Sequence, residues 1–107
     1  MRNLSGVWIL TMLNIEINSN GITMKGHADY AKRGQDIVCA SASAVLQYTI
    51  DLLEMHTEVE GTIEPGNAII HLTRTNRDTE RLLHVFKSFM KQLERQYPAH
   101  IKVFGGM

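Results

Sequence analysis

The chain holds one cysteine, two prolines and one tryptophan in 107 residues, and no excess of charge of either sign. Each shortage excludes something. One cysteine cannot close an intrachain disulfide, so the fold owes nothing to oxidation, and a lone thiol fits a reducing compartment, the cytoplasm. Eleven Lys and Arg balance eleven Asp and Glu, which gives no broad electrostatic grip on nucleic acid or on an anionic membrane. The apolar run over residues 7–13 is far short of the ~20 residues that a membrane helix needs, and no small-residue cleavage site follows it. Aromatic residues are 7% of the chain and scattered, too dispersed for a base-stacking platform. There is no CxxC and no HxxxH, and His56, His71, His84 and His100 fall on separate elements, so the expectation is no metal site and no cofactor. Neither phosphate-cradling pattern, GxxxxGK[ST] or GxGxxG, occurs.

What is present describes one globular domain spanning residues 1–107, with 44% hydrophobic and 21% charged residues. A chain of this length buries roughly 65% of its unfolded surface, enough for one ordinary core. Leu13, Ile15 and Ile17 alternate with polar neighbours up to Asn18-Ser19-Asn20-Gly21, and Ile22 and Met24 alternate again, which predicts a hairpin closing near Asn20-Gly21. The first strand is allowed to begin as early as Val7. A polar, irregular stretch covers 26–35. A helix is predicted over 36–55, with apolar residues Ile37, Val38, Val45, Tyr48, Leu52 and Leu53 and a polar stripe of Ser43, Gln47, Asp51 and Glu54. Two strands over 56–63 and 68–73 flank the turn Glu64-Pro65-Gly66-Asn67. A second helix over 77–97 carries Leu82, Leu83, Phe86, Phe89, Met90, Leu93 and Tyr97 at core spacing, and Ile101, Val103 and Phe104 make a last strand. Phe86 and Phe89 are also large enough to serve a dimer contact, although covering the sheet is the more ordinary use of that stripe. The order ββαββαβ predicts an α+β fold: a two-layer sandwich, an antiparallel sheet with two helices on one face.

The only chemistry-bearing cluster lies around the cysteine. Cys39 stands three residues after Asp36, near a predicted helix start, with Gly26 and His27 upstream across a polar loop. A nucleophilic cysteine acts as thiolate, and an unperturbed thiol has a pKa near 8.5. A helix N-terminus supplies typically ~0.3–1 kcal/mol, less than the ~1.36 kcal/mol of one pK unit. A neighbouring imidazolium is the stronger perturbation, and His27 is the candidate partner. Asp36 is expected as the N-cap; orientation of His27 by Asp36 or by Asp29 is the other role open to these carboxylates. Gly26 and Gly34 are candidate hinges at the two ends of the loop. N–H groups around residues 38–40 are candidates for an oxyanion hole. On spacing alone, the commoner role of such a cysteine is that of a small buried hydrophobe.

The segments Gly26-His27-Ala28, Tyr30-Ala31, Gly34 and Asp36-Ile37-Val38-Cys39-Ala40, followed by Ser43, resemble the signature of the Prp family, the ribosomal-processing cysteine proteases of bacteria. The resemblance covers about residues 13–104; residues 1–12 have no counterpart in it and are expected as an N-terminal addition. It implies that Cys39 is the nucleophile and His27 the general base and acid, with no cofactor. The implied substrate is a short N-terminal extension on a large-subunit ribosomal protein, or a similar sequence in a phage structural protein. It also implies a mobile loop between the two residues and a homodimer. A non-cutting module that docks on a ribosomal or phage protein, and a thiol-based redox sensor, are the other two readings of the same residues.

Overall fold

The computed structural model describes residues 12–26, 33–64 and 66–106, and for residues 33–36 the backbone alone. Strands β1 (Leu13–Asn18) and β2 (Gly21–Lys25) form an antiparallel hairpin in which Asn18 faces Gly21. Helix α1 (Arg33–Leu53) follows, then β3 (Val59–Glu64), β4 (Asn67–Leu72), helix α2 (Arg77–Gln96) and β5 (Ile101–Phe104). The expected order ββαββαβ is the observed one. The five strands lie side by side as β3-β4-β2-β1-β5.

The sheet is mixed rather than antiparallel throughout, because β5 pairs with β1 in parallel, Ile15 facing Val103. The cause is α2. It carries the chain from the end of β4 back along the sheet, so β5 starts at the same end as β4, which itself runs with β1. The predicted start at Val7 falls outside the described residues; β1 is described from Leu13.

Alternation along the strands decides which face is covered. Leu13, Ile15, Ile17, Ile22, Met24, Ala68, Ile70, Leu72, Ile101 and Val103 are buried and join one continuous core. Both helices pack on that face. From α1 the core takes Val38, Ala42, Leu46, Ile50 and Leu53, and from α2 it takes Leu83, Phe86, Met90 and Leu93. Ile37 and Tyr48 of α1, expected on apolar faces, are instead 52% and 66% exposed. Phe86 and Phe89 part company, the first buried and the second 36% exposed.

Helix α2 begins at a capping box: Asn76 Oδ1 accepts the Thr79 N–H at 2.9 Å while Thr79 Oγ1 accepts the Asn76 N–H at 2.8 Å. An Asn76→Ala protein is expected to lose about 1 kcal/mol of stability, read as a lower urea midpoint at unchanged slope. At the other end of α2, Glu94 Oε2 accepts the Val103 N–H at 3.0 Å, and Lys91 Nζ donates to the Val103 carbonyl at 3.2 Å. These two side chains occupy the outward main-chain N–H and C=O of Val103 in edge strand β5, which hinders pairing with another sheet at that residue. The opposite edge, β3, is exposed along nearly its whole length.

Candidate active site

Cys39 is the seventh residue of α1 and half-buried, packed against the edge of the core. Ser43 and Gln47 follow at intervals of four, so the three side chains lie one above another on one helix face. That face forms one wall of a groove of about 220 Å³. Leu13, Met24 and Ala68 make the floor, Leu46 backs the helix wall, and Ile63, Glu64, Gly66 and Asn67 at the tip of the β3–β4 hairpin make the opposite wall.

Gly26, the residue immediately before His27, lines the same groove. Its N–H donates to the Gly66 carbonyl at 3.1 Å, which ties the end of β2 to the hairpin tip. Gly26 has φ +151°, and a Cβ there would lie 2.5 Å from the Met12 carbonyl oxygen and 2.7 Å from the Leu13 Cα. Both the dihedral and the space demand glycine. A Gly26→Ala substitution is expected to cost about 1–3 kcal/mol, measured by chemical denaturation.

The structure thus brings Gly26 and Cys39 to one groove. His27 and Asp29 lie outside the described residues, as does the side chain of Asp36. The helix starts three residues earlier than the sequence pattern suggests, which corrects two expectations. Asp36 lies within the first turn rather than at the N-cap. Gly34 is helical rather than a residue of the connecting loop. The same shift places the unpaired N–H groups of the helix at its first four residues. Those of residues 38–40 are engaged in the helix's own i→i−4 bonds, so they do not form an oxyanion hole.

From the sequence, Ile63, Glu64, Gly66 and Asn67 are a strand end and a turn, not part of the site. Their composition signals a turn, and Gly66 at φ +78° fits one. Their place opposite Cys39 depends on β4 pairing with β2, Asn67 beside Lys25, which no local pattern encodes.

A half-buried thiol lining a groove between a helix and a hairpin tip, on a two-layer α+β scaffold, fits the class of thiol enzymes. The model of the cysteine protease Prp family matches residues 10–102. The chain belongs to that family and is a cysteine protease. It is 43% identical over 91 residues to the ribosomal processing cysteine protease Prp of Mycoplasma pneumoniae, a match covering 84% of this chain and 91% of that protein. It is 31% identical over 100 residues to the protein of that name from Staphylococcus aureus, with 85% and 94% covered. Among solved structures, the S. aureus protease with a substrate peptide superposes with a TM-score of 0.79 at 24% identity, covering 89% of this chain and all of that one. The same protease with a covalently linked product peptide gives 0.72 at 26% identity with the same coverage.

Proposed function

We propose that this protein is an endopeptidase that removes a short N-terminal extension from a large-subunit ribosomal protein, with Cys39 as nucleophile and His27 as general base and acid. The observation that carries the reading is the groove shared by Cys39 and Gly26, the residue to which His27 is joined. The relatives support it: they carry the name ribosomal processing protease, and one of them is known with a covalently linked product peptide, as nucleophilic catalysis requires.

In the mechanism, the Cys39 thiolate adds to the scissile carbonyl carbon to give a tetrahedral intermediate. The C–N bond then breaks as His27 protonates the departing amine. Water, deprotonated by His27, hydrolyses the thioester and regenerates the thiol. The enzyme works in the cytoplasm, where ribosomal proteins are made, and as a homodimer; Tyr48 and Val85, 66% and 67% exposed, offer apolar surface for a partner copy. Among the described residues no helix is long and apolar enough to cross a membrane.

The pairing is tested by alkylating Cys39 in wild-type and His27→Ala proteins at pH 7. A thiol with a pKa near 8.5 is only about 3% ionised there, so losing the imidazole is expected to slow alkylation about tenfold or more and to stop cleavage. Equal alkylation rates and undiminished cleavage would overturn the pairing. If the wild-type protein binds the extension without cutting it, the domain is a docking module.

A further inference from the structure

We infer that Asn67, the first residue of β4, positions the substrate by accepting a hydrogen bond from one of its main-chain N–H groups; this rests on the protease reading of the Cys39 groove. Asn67 lines the groove, and its Oδ1 is buried and accepts no hydrogen bond among the described residues. Buried side-chain oxygens are ordinarily paired, and each exception calls for an explanation. Here the explanation is a donor that arrives with the ligand. The groove floor beneath it, Leu13, Met24 and Ala68, is apolar and offers no donor of its own.

The backbone of Asn67 is held on both sides, by Glu64 in β3 and by Lys25 in β2. The hydrogen bond from the Gly26 N–H to the Gly66 carbonyl fixes the neighbouring residue. The carboxamide therefore projects from a rigid base. The torsion about its Cβ–Cγ bond is broad and roughly two-fold, so rotation can bring the oxygen towards an incoming chain. A peptide that enters the groove in an extended conformation presents main-chain N–H groups whatever its side chains are. A neutral carboxamide suits that donor, because a carboxylate in its place would add negative charge to a groove in which a thiolate forms.

The contact is tested with peptides spanning the N-terminal extension of the ribosomal protein, each carrying one amide-to-ester replacement away from the scissile bond. Affinity is measured by fluorescence anisotropy on the Cys39→Ala protein, alone and combined with Asn67→Ala or Asn67→Asp, and thermal melting checks that each is folded. At one peptide position the ester is expected to weaken binding about tenfold with Asn67 present and less than twofold with Asn67→Ala. Asn67→Asp, which retains an acceptor oxygen, restores the penalty even if charge alters overall affinity. Equal ester penalties at every position in all the proteins overturn the contact and leave the protease reading standing if the Cys39 protein still cuts. Position-dependent coupling without cleavage by the Cys39 protein overturns the protease reading and leaves the contact standing. A peptide neither bound nor cut overturns both.

Discussion

A Cys39→Ala protein is expected to fold as the wild type does and to lose cleavage by about 10⁴-fold or more, the scale on which an acyl-transfer site fails without its nucleophile. The two halves of that expectation have separate causes. Cys39 is packed at the margin of the core rather than at its centre, so removing one sulfur leaves a small, partly open space. The stability cost is below about 1.5 kcal/mol, in the range of other single-group core truncations. Chemistry has no comparable tolerance. As the only cysteine in the chain, Cys39 has no substitute thiol, and Ser43 one turn away carries a far weaker nucleophile. A Cys39→Ser protein, with a hydroxyl in the same place, is expected to be nearly as inactive because its proton is much harder to remove. Circular dichroism and a melting curve establish the fold, and fragment masses establish cleavage. Activity within tenfold of wild type in the alanine variant would remove Cys39 from the mechanism.

The largest expected loss of stability comes from Phe86. It is 1% exposed and joins α2 to the sheet within the central core. Truncation to alanine removes the ring and leaves a cavity that the β-sheet beneath it cannot collapse to fill, which costs about 3–5 kcal/mol. For a domain near this size each kcal/mol lowers Tm by about 4 °C or more, so a fall of at least about 12 °C is expected. Phe89, three residues along the same helix and 36% exposed, is the control. Its truncation is expected to cost less than half as much, because part of its surface is in water in both states. Equal losses at the two positions would show that α2 packs with a different face from the one described.

The contrast between the two phenylalanines also shows where the sequence was informative and where it was not. Helix α2 has a charged face, so its apolar stripe stood out, and Leu83, Phe86, Met90 and Leu93 are buried as that stripe predicts. Helix α1 is apolar or small on several sides, and periodicity did not separate the buried Val38 and Leu53 from the exposed Ile37 and Tyr48, nor did it pick out the buried Leu46 and Ile50. Alternation identified the strands, and Asn18 to Gly21 closed a hairpin where turn chemistry placed it. The parallel partnership of β5 with β1 was not legible, because it is set by the return path of α2 rather than by any residue in β5.

The site divides in the same way. The motif around Cys39 lies within one short stretch of sequence, and the family was recognisable from it. The hairpin wall with Ile63, Glu64 and Asn67 meets the helix only after four strands have paired, so its role has no local signature. Asp36 and Gly34 were misplaced for a smaller reason: an aspartate within the first helical turn looks much like one at the N-cap, since both positions favour a carboxylate.

The central claim is that this chain hydrolyses a peptide bond through Cys39. It is tested most directly by incubating the purified, fully reduced protein with the N-terminal extension of the large-subunit ribosomal protein and weighing the products. The account predicts two fragments from a single cut, their masses summing to the parent peptide plus one water, and none after the thiol has been alkylated. A parent peptide that stays whole beside a reduced, folded enzyme, or one that is cut equally well after alkylation, would contradict it.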